Sequence, residues 1–447
     1  MRFEINNLKQ PVRDFPFHND IEMVRFLAAG KLRIKEKDIS SVRILRRSVD
    51  ARSKKDILLV YSAEILVNEE AENKDIENKL IYGSKQINNR PIIIGSGPAG
   101  LFAGLVLAQQ GYRPLLLERG GDVDKRTEAV SAFFSSGMFD EGSNIQFGEG
   151  GAGTFSDGKL TTRIKDIRID KVLNTFVEEG APGEILYQSK PHIGTDILKI
   201  VVKNMRNRII ELGGDVRFHS KVTDILVEEG CAKGIIVNGK EAIESNIIIA
   251  AIGHSARDTY RMLFEKGMKI IPKPFSIGVR IEHSQSMIDE AQYGIFAGHP
   301  RLGAADYLLT TRSKLTGRAV YSFCMCPGGQ VVAAASEREM LVTNGMSEYK
   351  RDRENANSAL VVSVSPEDFK DSHPLSGIEF QRIWEGKAYK LGGRSYYAPV
   401  QLTEDFLKGK VSKAFGKVKP SYEPGARLCD LHMCLPEYVT LSMKEAL

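Results

Sequence analysis

Apolar positions recur along this chain with two different spacings, and the alternation between them predicts its elements. "DIEMVRFLAAGKL" carries apolar residues at helical spacing from Asp20, whereas "SVRILRRSV" and "DILLVYSAEILV" read as strands separated by the polar "DARSKKD". Residues 1–86 are therefore expected to form a small α/β domain, closing in the charged connector "NEEAENKDIENKLIYGSKQINNR" with a short helix. From Pro91 the texture becomes strand, glycine turn, helix, strand. "TDILKIVVKNMRNRIIELGG" then predicts a long amphipathic helix, and the segment from Asp215 to Gly253 a strand, an antiparallel meander and a final buried strand. Beyond Gly253, strands such as "FSIGVRIEH" and "VYSFCMCPGGQVVAAAS" alternate with polar helices, the texture of an α+β domain.

A chain of 447 residues exceeds what one core usually serves, so two or three domains are expected. Lys and Arg number 62 against 57 Asp and Glu, an excess too mild to imply nucleic acid or a membrane surface. The N-terminal "MRFEINNLKQPVRDFPF" lacks the apolar core of a signal peptide, and runs such as "IIIAAI" are too short to span a bilayer, so a cytoplasmic location without membrane contact is expected. Five cysteines make no disulfide framework and match no paired metal-ligand spacing, so reduced thiols and no metal are expected.

The stretch "PIIIGSGPAGLFAGLVLAQQGYRPLLLERG" holds the densest chemistry. Gly95 permits a tight turn after a buried strand, Gly97 lets backbone approach a pyrophosphate, and Gly100 lets the next helix pack on the strand. That helix, opening at Pro98 and Ala99, aims its N-terminal N–H groups at the phosphates. The second strand ends at Glu118, the spacing of a carboxylate that accepts ribose hydroxyls and repels a 2′-phosphate; FAD or NAD is favoured over NADP. A second glycine tract, "NIQFGEGGAGTFSDGKLTTR", supplies Gly148, Gly150, Gly151 and Gly153 with Thr154 and Ser156, suited to the remaining phosphate of a long cofactor. That tract points to FAD.

Together with "KPHIGTDIL", "AAIGHSARDTY", "YSFCMCPGGQVVAAASE", "TNGMS" and "NANSALVVSV", these stretches make the chain resemble the bacterial FAD-dependent dehydrogenase family, the NAD(FAD)-utilizing dehydrogenases, and more distantly the glutathione-reductase-like flavoproteins. The resemblance implies an α/β protein. A Rossmann-like FAD-binding domain (parallel sheet plus β-meander) would span 87–255, and an α+β substrate domain 256–428. Residues 429–447 would begin a C-terminal segment returning to the FAD domain. It places FAD pyrophosphate at Gly95, Gly97, Pro98, Ala99 and Gly100 and the adenosine ribose at Glu118. Arg119 and Gly150, Gly151, Ala152, Gly153 and Thr154 would flank the cofactor, Val222 would meet adenine through its backbone, and Gly253 would end the returning strand. Family members carry a further glycine-rich segment that closes over FAD; since this sequence ends at "LPEYVTLSMKEAL", weak FAD binding is expected unless another chain supplies that piece.

The resemblance implies hydride transfer between a small-molecule substrate or NAD(P)H and flavin. The pattern assigns no catalytic acid or base, substrate or oligomeric state. His192 and His254 sit beside the presumed cofactor loops, as proton donors or as loop hydrogen-bonding groups. Cys324 and Cys326 alternate on a strand and so share one face; a structural role as small apolar residues is preferred to redox or nucleophilic chemistry. Pro327, Gly328 and Gly329 are expected to shape a turn beside the substrate pocket. His432, near Cys429 and Cys434, lacks a fourth ligand for a metal. The basic run of Arg43, Arg46, Arg47, Arg52, Lys54 and Lys55 has no interleaved aromatic residues, so it reads as a solvated edge rather than an RNA site. Three other readings remain: a flavin-free NAD-dependent dehydrogenase, a nucleic-acid-associated flavoprotein, and an inactive fragment.

Overall fold

A computed structural model of the chain describes residues 1–14, 16–69, 87, 89–162 and 164–447. Arg2–Pro11, Leu58–Val67 and Ile39–Asp50 form an antiparallel sheet in that order, with the helix Asp20–Leu32 on one face. Leu59, Tyr61, Ala63, Ile65 and Val67 alternate inward onto Met23, Val24 and Ala28. The expected short helix of the connector, and the boundary at 86, lie outside the described residues.

The next unit is a four-stranded parallel sheet ordered Ile248–Ala250, Ile92–Ile94, Leu115–Leu117, Asp215–Arg217. Its central strands are covered on both faces, which is why they read as unbroken apolar runs. Ile93 and Leu116 pack under the helices Pro98–Gln109 and Thr195–Glu211. Ile92, Ile94, Leu115 and Leu117 face the meander Val222–Glu228, Cys231–Val237, Glu241–Glu244. Met262 and Leu263 of the helix Arg257–Glu265 join this second layer, so the unit extends past the expected limit at 255.

An antiparallel sheet follows, ordered Phe275–Ser284, Asn355–Val364, Ala319–Cys326, Thr310–Arg312. Residues 429–447 are expected to begin a segment returning to the parallel-sheet unit; the described contacts of this stretch lie on the antiparallel sheet. Cys434, Leu435, Val439 and Met443 bury against Val320 and Val362 of the antiparallel sheet. Glu445 fastens the end of the helix by accepting from Ser313 Oγ (2.6 Å) and the Lys314 N–H (2.8 Å). The physical reason is the apolar stripe of Glu437–Ala446, which finds its complement on that sheet. Among the described residues no helix is long and apolar enough to cross a membrane.

Candidate nucleotide-binding and redox site

The first glycine turn does what tight strand-to-helix packing demands. Gly95 has φ +100°, and a Cβ there would lie 2.5 Å from the Ala251 carbonyl oxygen. At Gly100 a Cβ would lie 1.9 Å from the Gly95 carbonyl oxygen. Gly97 is different. Its φ of −66° suits any residue, and a Cβ there would meet nothing nearer than Gly151 Cα at 3.8 Å. Neither backbone nor packing requires glycine at 97. Gly97 caps the helix without a side chain, Pro98 and Ala99 are exposed, and helix geometry leaves the first-turn N–H groups without intrahelical acceptors. The result is an open, positively polarised helix end with room above it.

The second glycine tract lies against this turn. The Gly150 N–H donates to the Ser96 carbonyl (2.9 Å), and a short 3-10 turn, Gly151–Phe155, carries half-buried Ala152 and Gly153 and buried Thr154 past Gly97. Glu118 binds the two tracts together. Its Oε2 accepts from the Ser96 N–H (2.9 Å) and Ser96 Oγ (2.8 Å), and its Oε1 from the N–H groups of Gly120 (2.9 Å) and Gly148 (3.1 Å). These bonds fill the carboxylate's acceptor positions, so a ribose hydroxyl reaches Glu118 only by displacing one of them. Arg119 is likewise engaged, with Asp258 (3.0 Å) and Thr259 Oγ1 (2.9 Å), its guanidinium over the Phe147 ring at 4.4 Å. Val222 is buried at the start of the meander, paired with Val237. Gly253, φ +69°, is exposed in the turn after Ile248–Ala250, and its carbonyl accepts from Tyr260 Oη (2.8 Å).

Two residues that hold the second tract have no signature in the sequence. Arg126 is fully buried and donates to the carbonyls of Asn144 (2.8 Å), Ile145 (2.9 Å), Gly148 (3.3 Å) and Glu149 (2.5 Å). Burial brings its pKa down to about 10, with Glu118 and Glu149 opposing the shift. Glu149, also fully buried, accepts from the Val123 N–H (2.7 Å) and pairs with Arg206 at 3.3 Å, leaving Oε1 without a partner. Burial pushes its carboxyl up to about 7, against the pull of Arg206. Each is a lone charged residue in an amphipathic or glycine-rich stretch, indistinguishable there from a surface charge.

Downstream of Thr154, four separated stretches converge. The 157–160 strand edge pairs with 191–193 through a Lys159–His192 bridge and a Leu160 N–H to Pro191 carbonyl bond (2.9 Å). Asp157 is buried, receives Arg351 in a two-pronged ion pair and lies 3.3 Å from Lys159 Nζ. The Lys159 ammonium donates to the Met325 carbonyl. His192 donates through Nε2 to the Tyr349 carbonyl (2.9 Å) and stacks on that ring at 5.3 Å. Burial, with Arg351 nearby, brings His192 down to about 4, so it is neutral near pH 7 and its buried, unpartnered Nδ1 is an acceptor.

The expected simple alternation of Cys324 and Cys326 is broken. Phe323 pairs with Ala359 but Cys326 with Asn357, a bulge in which Cys324 takes φ +45°. The thiol-lowering cations that no neighbouring sequence supplies come from Lys159 and Arg280, distant in the chain.

A cavity of about 520 Å³ lies under the antiparallel sheet, lined by Arg280, Trp384, Glu385 and Tyr422 and reaching His254 and Arg257. His254 lines this cavity together with Gln146 of the second glycine tract. His432 stacks on Phe406 and pairs with Asp430 at 2.6 Å. Within the basic run, Arg47 pairs with Asp20 and donates to the Arg301 carbonyl (2.8 Å), docking the N-terminal sheet onto the remainder.

Comparison with known proteins relates the C-terminal part of this chain to FAD-dependent proteins. Residues 274–447 match the family profile described as FAD-dependent protein, C-terminal domain-like, and residues 3–66 one described as a domain of unknown function. A protein of Clostridium beijerinckii, described only as uncharacterized, is 50% identical over 460 aligned positions covering 100% of this chain and 85% of the relative. The chain belongs to the family of that protein. Thiamine thiazole synthase of Aeropyrum pernix is 24% identical over 228 residues, 48% of this chain and 72% of the enzyme. Among solved structures, Thermovibrio ammonificans THI4 aligns over 40% of this chain and 64% of its own, at 16% identity and TM-score 0.28. A variant of the halogenase PltM in complex with FAD aligns over 66% and 55%, at 12% identity and TM-score 0.31.

Proposed function

We propose that this protein is an oxidoreductase that holds FAD at the junction of its two glycine tracts and transfers a hydride between flavin and a small organic substrate or NAD(P)H. The observation that carries this reading is Gly97, a glycine that the fold does not need, set beneath an open helix end and facing a second glycine turn. Gly97, Ala99 and Gly100 would present backbone to the diphosphate, and Gly150 to Thr154 would flank it. FAD, when bound, supplies two-electron redox chemistry. The chain's own groups orient and insulate it: Arg126 fixes the second tract and Glu118 joins the two.

Gly97→Ala provides the test. The added methyl enters open space, so folding stability should change by no more than ~1 kcal/mol, while FAD retention, read from visible absorbance after dialysis, should fall at least ~tenfold. Unchanged retention in the variant, or wild-type protein that takes up no FAD from solution, overturns the proposal.

A further inference from the structure

The bulge at Cys324 brings together two thiols that an ordinary strand would keep apart. In a regular strand, residues two apart lie about 6.6 Å from each other along one face. A disulfide needs Cβ atoms separated by about 3.8 Å. Here Cys324 turns into the left-handed region, and the Cys326 sulfur lies 3.5 Å from the Cys324 carbonyl oxygen. A non-glycine residue in that region is strained and persists only where its surroundings enforce it. The surroundings are specific. Arg280 donates twice to the Cys324 carbonyl (3.2 and 3.1 Å) and Lys159 to the Met325 carbonyl, clamping the bulge from two other elements. Gly345 opposite leaves the space: a Cβ there would lie 2.7 Å from Cys326 Sγ.

The charges facing the pair are Lys159 and Arg280, with Asp157 opposing them. The Cys326 hydrogen bond, aided by these cations, brings Cys324 down to about 6, and the same bond with burial raises Cys326. Cys324 is partly accessible and Cys326 fully buried, the arrangement of an attacking and a resolving thiol. By contrast, Cys429 and Cys434 are both raised by burial.

We propose that Cys324 and Cys326 are a redox-active dithiol that reduces a small organic disulfide. The Cys324 thiolate attacks one sulfur of the substrate; the substrate S–S bond breaks, one thiolate leaves, and a mixed disulfide forms on Cys324. Cys326 then attacks the Cys324 sulfur, and its proton goes to the departing thiolate. The second substrate thiol is released and a Cys324–Cys326 disulfide remains. Two electrons pass from the cysteine pair to the substrate, giving two thiols. The step needs no flavin and stands apart from the FAD reading.

The experiment uses the full chain with oxidised glutathione as probe. Wild-type protein should lose two hydrogens in intact mass, with peptide mapping placing the link between Cys324 and Cys326. Cys326→Ser should instead accumulate one glutathionyl adduct on Cys324, and Cys324→Ser, folded by circular dichroism, should yield neither product. Iodoacetamide labelling of Cys324 should be half-maximal near pH 6, against about 8.5 for an ordinary thiol. Lys159→Met should move that midpoint upward. Oxidation that leaves Cys324 and Cys326 unlinked, Cys326→Ser that takes up no glutathione, or a labelling profile at the ordinary thiol range overturns the proposal.

Discussion

Glu149 and Arg126 show how single buried charges set the behaviour of the glycine tracts. Because the Glu149 carboxyl is raised from its ordinary value to about 7, the folded protein binds a proton that the unfolded chain releases. The folded state is therefore favoured at acidic pH, and this contribution is lost as pH rises from about 4.5 towards 7, by an amount on the order of 3 kcal/mol. Glu149→Gln should remove that dependence, so the urea midpoint of the variant should exceed that of wild type above neutral pH and converge with it under acid. Arg126→Ala should be far costlier. It strips donors from four buried carbonyls and should destabilise by roughly 3–5 kcal/mol in chemical denaturation. Neither role is readable in "DVDKRTEAV" or "FGEGG", since burial of a lone charge depends on what the rest of the chain folds over it.

Secondary elements were more legible. The helix Asp20–Leu32 matches the periodic stretch from which it is expected, and the helix Thr195–Glu211 falls within its own. Apolar spacing reports the face each element buries. The Cys324 bulge was not legible, because alternation assumes an unbroken ladder and the clamp that breaks it, Arg280 and Lys159, comes from other elements. The glycine turn divides by role. Gly100→Ala drives a methyl against the Gly95 carbonyl and should lower stability by at least ~2 kcal/mol in thermal unfolding, in contrast to Gly97→Ala.

Between the larger units, Arg257 is one ionic tie. It is buried at the start of Arg257–Glu265 and pairs with Glu337 and Glu385 across the boundary, both at 2.6 Å. Arg382 also grips Glu337 from the helix Ser376–Leu391. Arg257→Met leaves Glu385 without its partner and should cost roughly 3–5 kcal/mol, visible in calorimetry as earlier melting of the antiparallel-sheet unit. The placement of Glu437–Ala446 on that unit, instead of the parallel sheet, is likewise a matter of which apolar surfaces meet.

The order of strands and helices and the glycine crossover at 95–100 were carried by local spacing, since turn geometry and face burial act over a few residues. Saturation of Glu118, burial of Arg126 and Glu149, and convergence of Lys159, Arg280, Cys324 and Cys326 arose only on folding. Electrostatics and hydrogen bonding act across space, and residues more than a hundred positions apart become neighbours only when the sheets close.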